Sequence, residues 1–249
     1  MRILLAFGLF LILISCGQTT KNDPADAIVN KGIAGVGGKI LNNATIAFDF
    51  RDTHYSAKRE KGNYSLTRCS DPACKDTVDV VTNEGFERTI NGKRINLADS
   101  TAEKYSNSVN SVHYFSVLPY GLDNEAVKKE IADTVQIRGK IYYEVKVSFK
   151  QKGGGKDYED EYMYWINTQD FKVDYLAYNY HVNEGGTRFR EAYNPREING
   201  VRVVDYRNYE PKQQFPPLQS LDSLFENGKL KLLSRIDLEN VEVTKCPNC

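Results

Sequence analysis

The feature that most restricts the fold of this chain is a strict alternation of apolar and polar side chains. Residues 140–150 show it best, and residues 44–51 repeat it. A period of two puts the alternating sets on opposite faces of a β-strand, and strands with one apolar face form antiparallel sheets that bury that face. The apolar sets are Ile141, Tyr143, Val145, Val147 and Phe149 in the later segment and Ala44, Ile46, Phe48 and Phe50 in the earlier one.

Turn signals divide much of the remaining sequence into further strands. Asn91-Gly92 separates two short apolar alternations, and this dipeptide is typical of a two-residue hairpin turn because it tolerates two positive φ angles. About ten strand patterns can be distinguished by periodicity, and no internal repeat marks a boundary. We therefore expect one α+β, mostly β domain over residues 24–249, with a single large antiparallel sheet curled into a half-barrel.

Two stretches carry helical patterns instead. Asp23-Pro24 predicts the start of a short helix, with aspartate as N-cap and proline at the first position, and glycines after Ala34 end it. Ser100-x-x-Glu103 has the spacing of a capping box, and apolar residues then recur at helical spacing. We expect an insertion over residues 100–131, with a second helix over 123–131, to cover the sheet as a lid. The residues expected to face the sheet are Tyr105, Val109 and Val112.

The N-terminus has the pattern of an export signal. Arg2 precedes an apolar run over residues 3–14, which is shorter than the ~20 residues that a transmembrane helix needs and fits a signal peptide. The run ends in Leu-Ile-Ser-Cys16, which resembles the lipobox of bacterial lipoproteins and implies cleavage before Cys16 and its acylation. We expect a signal peptide over residues 1–15 and a lipidated Cys16 with a polar tether over residues 16–23. An ordinary secretory leader is the alternative.

Charge and anchoring indicate location and partners. Lys plus Arg and Asp plus Glu both number 33, so no charge excess draws the chain to nucleic acid. The expected partner is a membrane, reached through the lipid anchor. Whether a protein partner exists stays open. Gly17 stands where an aspartate would retain an enteric lipoprotein in the inner membrane. The resemblance therefore implies a lipid-anchored protein of the cell envelope, in the outer membrane, and both a periplasmic and a surface-facing position stay open.

Four cysteines follow the lipobox, and an even number in an exported protein indicates disulfides. They are Cys69, Cys74, Cys246 and Cys249. The turn residues within 69–74 favour pairing Cys69 with Cys74 and Cys246 with Cys249, while the two crossed pairings stay open. The same spacings fit a zinc site, and Cys246-Pro-Asn-Cys249 has the spacing of a thiol redox motif. No helix follows Cys249 to stabilise a thiolate, which weakens the redox alternative.

The order of elements resembles a known architecture. A leading helix, antiparallel strands, a central helical insertion and returning hairpins resemble the half-barrel of the lipoprotein-carrier (LolA/LolB-like) superfamily. The aromatic hairpin over residues 162–173 is the most similar segment. Residues 47–55 and 83–88 also resemble an uncharacterised family of predicted Bacteroidota lipoproteins. The first resemblance implies a fold that can shelter an acyl chain, and the second implies family and location without an activity.

We expect a binding module rather than an enzyme. The sequence contains no G-x-S-x-G, H-E-x-x-H or P-loop motif, its three histidines are scattered, and neither a cofactor nor a metal is predicted. The hypothesis is that a lipid or acyl chain occupies the half-barrel. The alternative is a structural or protein- or carbohydrate-interaction lipoprotein whose core is filled by its own side chains. The candidate ligand-binding residues are Phe48, Phe50, Tyr143, Val145, Val147 and Trp165.

A run of aromatic residues near position 170 admits two interpretations. Its members lie on both strand faces, which favours a tightly packed sheet but also fits a pocket or a carbohydrate-stacking surface. The run comprises Tyr158, Tyr162, Tyr164, Trp165, Tyr175, Tyr178 and Tyr180.

Overall fold

The computed structural model describes residues 23–152, 160–181 and 185–246. The helices in these ranges are α1 (Pro24–Gly35), α2 (Gly38–Leu41), α3 (Asp99–Ser116) and α4 (Leu221–Glu226), with a 3-10 turn at Leu218–Ser220. The strands are β1 (Ala44–Phe50), β2 (Thr53–Glu60), β3 (Asn63–Cys69), β4 (Thr77–Thr82), β5 (Gly85–Ile90), β6 (Lys93–Arg94), β7 (Val127–Ile137), β8 (Lys140–Phe149), β9 (Tyr162–Asn167), β10 (Val173–Tyr180), β11 (Gly186–Ile198), β12 (Val201–Pro211), β13 (Leu230–Ile236) and β14 (Glu239–Lys245).

The strands within the described residues form two antiparallel sheets of seven. The first has the order β14-β1-β2-β3-β4-β5-β6, and the second has the order β13-β12-β11-β10-β9-β8-β7. Both curl without closing, so the predicted class, mostly β with few helices and a half-barrel curvature, is confirmed. The prediction of one wide sheet is corrected. A curled sheet of about fourteen strands exceeds the usual limit of about ten, and such sheets split.

The local signals at the first helix and at the Asn-Gly turn are confirmed. The Asp23 carboxylate accepts a hydrogen bond from the Ala25 N–H at 2.9 Å, and Pro24 is the first residue of α1. Asn91 and Gly92 have φ angles of 49° and 73°, as the predicted hairpin turn requires.

Two helix predictions are wrong. Helix α3 begins at Asp99 with Ala98 as N-cap and no side-chain capping bond, so Ser100 and Glu103 form no capping box. Residues 127–131, predicted to be helical, belong to β7, where Val127 pairs with Phe149 of β8. Val127 is buried while its neighbour Lys128 is exposed, so the pairing with β8 imposes the strand period on a segment whose spacing also fits a helix.

Three apolar clusters form the core. The first lies between the inner face of the first sheet and α3. It includes Phe48, Tyr55, Leu66 and Val109. The second covers the inner face of the second sheet, beneath α1 and the loop after α3. It includes Val29, Leu122, Val145, Val147 and Tyr164. The third fills the outer face of the second sheet beneath α4 and includes Trp165, Phe189 and Phe225.

Helix α3 therefore lies between the two sheets. One side packs on β3, β4 and β5, while Tyr114 and Phe115 on its other side meet Tyr164 and Tyr178 of the second sheet. The prediction that the helical insertion covers the sheet is confirmed. Over the three described ranges, no helix has the length and apolar character needed to cross a membrane.

Candidate ligand-binding site

A cavity of about 810 Å³ lies between α3 and the inner face of the second sheet. Its volume falls within the ~300–1,000 Å³ of small-molecule sites. Helix α3 supplies one wall, with Asn107, Ser111, Val112, Phe115 and Ser116 among the lining residues. The opposite wall is built by β9 to β13, and Phe50 at the end of β1 and Leu238 complete the lining.

The α3 wall is held in place by a buried charge cluster on the first sheet. Asp79 of β4 accepts hydrogen bonds from Arg68 and Arg88, and its side chain is 2% exposed. Burial acts to raise the pKa of Asp79, but the hydrogen bonds from Arg88 and Arg68 outweigh it and keep that pKa below its usual value. The arginines then contact α3, since Arg68 donates to the Ser108 hydroxyl at 2.8 Å and Arg88 lies 3.6 Å above the ring of Tyr105.

A buried histidine makes a second attachment between α3 and the first sheet. His113 is 1% exposed, and its Nε2 lies 3.0 Å from the Thr67 carbonyl oxygen. Its ring meets Phe48 and Tyr55 edge-on at centroid distances of 5.9 and 5.6 Å. Burial lowers the pKa of His113 to about 4, so the ring is neutral near pH 7 and donates one N–H to the carbonyl.

The opposite wall is aromatic. Tyr162 of β9 and Tyr178 of β10 are cross-strand neighbours whose stacked rings are 5.7 Å apart, and Tyr180 continues the same face of β10. Phe115 of α3 lies 5.3 Å from the Tyr178 ring, which joins the two walls at one end of the cavity. These rings give the cavity a largely apolar lining suited to a hydrophobic ligand.

Two arginines of β11 lie on this aromatic surface. The guanidinium of Arg190 is 4.0 Å from the centre of the Phe115 ring, and its Nη2 donates to the Tyr178 hydroxyl at 2.8 Å. The guanidinium of Arg188 is 5.0 Å from the Tyr180 ring and donates to the Thr187 carbonyl. The lining thus combines aromatic faces with positive charge, and the cavity is amphipathic.

The six candidate ligand-binding residues are separated by the structure. Phe50 lines the cavity. Phe48, Val145 and Val147 are completely buried in packed clusters, and Tyr143 packs on the cluster that contains the two valines. Trp165 is buried on the outer face of the second sheet, where its indole N–H donates to Glu144 at 2.9 Å. Five of the six are therefore packing residues rather than lining residues.

Sequence reasoning identified part of the true lining through the aromatic run. Tyr162, Tyr178 and Tyr180 line the cavity, whereas Tyr164, Trp165 and Tyr175 are packed in the core. Tyr158 lies outside the described residues. The arginines were missed, although the alternation of Arg188 and Arg190 with buried Phe189 is itself a strand pattern with charge on the inner face.

The disulfide between Cys69 and Cys74 is confirmed, with a Cα–Cα distance of 5.1 Å. Those two sulfurs are joined, so the zinc alternative that required both thiolates is wrong. Cys246 is also disulfide-bonded, but Cys249 lies outside the described residues, and its pairing stays a prediction. Cys16 and the signal peptide lie outside them as well.

These features define a β protein of two curled sheets with an amphipathic cavity beside a central helix. The chain belongs to a family of unknown function (DUF6503), whose family model matches residues 3–238. No curated protein matches the chain.

Three solved structures similar to the chain share little sequence with it. A DUF1329 family protein from Desulfovibrio piger is 12% identical with a TM-score of 0.49, covering 91% of this chain and 95% of its own. A LolA superfamily protein from Nitrosomonas europaea is 11% identical with a TM-score of 0.49, covering 90% of this chain and 95% of its own. The Mycobacterium tuberculosis lipoprotein LppX is 9% identical with a TM-score of 0.28, covering 63% of this chain and 88% of its own. Function is therefore inferred from the cavity.

Proposed function

We propose that this protein binds a lipid or acyl chain in the cavity between α3 and the second sheet. The observation that carries the proposal is the open volume of about 810 Å³, which persists although three packed clusters fill the other apolar faces. Protein interiors are normally packed to the density of organic crystals. A cavity of this size lined by aromatic rings therefore has the form of a binding site rather than of a packing fault.

The lining favours a long apolar ligand. Val112 and Phe115 on α3 face the tyrosines of β9 and β10, with Ile236 and Leu238 nearby. Transfer of a chain into such a site gains about 25 cal/mol for each Å² of apolar surface removed from water. The alternative of a structural protein with a filled core describes the clusters around Phe48 and Val145 but leaves this space unexplained.

The proposal is one of binding rather than catalysis. The hydroxyls of Ser111 and Ser116 donate to the Ser108 and His113 carbonyls of their own helix, at 3.1 and 2.8 Å. The Ser108 hydroxyl accepts from Arg68. Serines engaged in this way lack the hydrogen bond to a general base that activates a nucleophile.

We further propose that Cys16 anchors the domain to a membrane of the cell envelope, with the outer membrane as the specific site. Helix α1 begins at Pro24, with Asp23 as its N-cap. Seven extended residues reach about 25 Å, so the anchor would keep the domain close to the lipid surface. Replacing Cys16 with serine should release the protein from the membrane fraction, and retention with incorporated fatty acid would contradict the anchor.

Filling the cavity tests the binding proposal. Ser111 lines it, so Ser111→Trp should reduce uptake of a fluorescent fatty acid by about tenfold, because the indole occupies space that the chain needs. Asn110→Trp is the matched control: Asn110 is the preceding α3 residue, exposed and not among the cavity-lining residues. Fluorescence titration would measure uptake, and native mass spectrometry would detect the lipid that stays bound to the purified full chain.

Two outcomes of this experiment would contradict the proposal or its site. If the wild-type chain takes up no fatty acid and purifies without lipid, the binding proposal is wrong. Equal uptake by both tryptophan variants would move the ligand to another surface. Thermal unfolding of each variant would establish that both are folded.

A further inference from the structure

Arg190 carries a positive charge for which the described part of the chain supplies no ion-pair partner. Its Nε is buried and has no hydrogen-bond partner, and its described contacts are the Tyr178 hydroxyl and the Phe115 and Tyr178 rings. No carboxylate among the described residues forms an ion pair with it. By contrast, Arg68 and Arg88 of the first sheet both pair with Asp79. A charge removed from water is costly unless it is paired.

The charged residues near Arg190 do not supply a carboxylate that neutralises its guanidinium. Arg188 has a carboxylate, Glu210, at 3.9 Å, which is a weak contact. Glu103 and Asp160 also line the cavity, with Lys104, but both acids have interactions of their own. Glu103 lies twelve residues before Phe115, about 18 Å along α3, whereas the Arg190 guanidinium rests on the Phe115 ring. The end of the cavity at Phe115 is therefore positive and aromatic.

We propose that the ligand is a free fatty acid whose carboxylate is bound by Arg190; this inference rests on the proposed function. The carboxylate accepts a charge-assisted hydrogen bond from the guanidinium of Arg190, which lines the cavity. The acyl chain then lies along Val112, Tyr178 and Leu238, within the cavity described above.

The first test uses the wild-type full chain and two probes that share one acyl chain. Palmitate carries the carboxylate and hexadecanol lacks it, and both would be delivered from cyclodextrin and measured by displacement of a fluorescent fatty acid. A charge-assisted hydrogen bond in a buried site should make palmitate bind at least about tenfold more tightly. Equal affinities would overturn the headgroup assignment and leave the proposed function standing. Failure of both probes to bind would instead overturn the proposed function.

A second test places the preference at Arg190. Arg190→Met should remove the advantage of palmitate while leaving the affinity for hexadecanol within about twofold, and Arg190→Lys should restore part of it. Arg235→Met is the matched control, because Arg235 is an exposed arginine of β13, the edge strand of the same sheet, and does not line the cavity. An unchanged preference in Arg190→Met would overturn the assignment. The wild-type comparison stands if that variant fails to fold.

A third probe distinguishes a carboxylate from a lipid phosphate. Palmitoyl lysophosphatidic acid presents a phosphate monoester on the same acyl chain. Weaker binding of this probe than of palmitate is the expected result, because the rings of Phe115 and Tyr178 that pack on the Arg190 guanidinium would crowd the larger phosphate headgroup. Binding at least tenfold tighter than palmitate would overturn the assignment to a fatty acid in favour of a phospholipid headgroup.

Discussion

Single buried side chains determine how this fold responds to pH. His113 is the clearest case, because it joins α3 to the first sheet and its pKa is lowered to about 4 by burial. An unfolded chain would bind a proton at His113 near pH 6.5, where the folded protein does not. Folding stability is therefore lost as pH falls below about 6.5, and the loss from this group is complete near pH 4.

His113→Gln should remove that contribution. Glutamine can still donate to the Thr67 carbonyl but does not titrate, so the wild type should lose about 2–3 kcal/mol more unfolding free energy than the variant between pH 7 and pH 4. Urea unfolding at both pH values measures the difference. Comparison with the variant cancels the opposing contribution of Glu144, whose pKa burial raises to about 7. Identical losses in both proteins would show that His113 is not responsible.

At the scale of single elements, the sequence predicted what depends on near neighbours. The helix cap at Asp23, the Asn91-Gly92 turn and the alternation of β1 are local patterns, and each is confirmed. Strand β8 forms where it was predicted, but Tyr142 and Glu144 of its predicted polar face are buried and Ile141 of its predicted apolar face is exposed, because α4 covers the outer face of this sheet. The start of α3 and the strand character of β7 were mispredicted. In β7 the spacing of Val127 and Ile131 fits a helix turn as well as a strand, and only pairing with β8 decides between them.

The candidate site was harder to predict because its walls come from separate elements. Alternation identified Tyr143, Val145 and Val147 as an inner face, and Val147 is indeed the cross-strand neighbour of Tyr162, which lines the cavity. Which part of that face is packed and which stays open depends on where α3 and the first sheet lie, and no local pattern encodes this. The arginines of β11 were overlooked for the same reason.

The turn between α1 and α2 provides a test of contacts between elements. Gly37 has a φ of 86°, and a Cβ added there would lie 2.2 Å from the Gly200 carbonyl oxygen in the β11–β12 turn. Gly37→Ala should therefore cost the ~1–2 kcal/mol of a left-handed residue plus the displacement of that turn, at least about 3 kcal/mol altogether. The measurement is urea unfolding.

Gly121→Ala supplies the control for backbone conformation alone. Gly121 has a φ of 91° but nothing within 4 Å of an added Cβ. This variant should lose only about 1–2 kcal/mol. Equal losses for both alanine variants would mean that the close approach of Gly37 to Gly200 contributes nothing.

At the scale of the whole molecule, binding and folding are linked through α3. A ligand held between α3 and the second sheet binds only the folded chain, so palmitate at one hundred times its dissociation constant should raise the unfolding free energy by about 2.7 kcal/mol. The gain should be absent from Ser111→Trp and present in Asn110→Trp. Thermal unfolding with and without palmitate measures it. A wild-type midpoint that does not change would contradict a ligand specific for the folded state.

The position of α3 between two sheets has a consequence for selectivity. Movement of α3 away from the second sheet, to admit a longer chain, is opposed by the first sheet, to which the Arg68–Ser108 and His113–Thr67 hydrogen bonds join the helix. The first sheet thus supports the α3 wall from behind, and its Phe50 also lines the cavity. If the protein binds an acyl chain, the longest chain that it accepts would therefore depend on the residues of β3 and β4 that support α3, and substitutions there are the place to alter it.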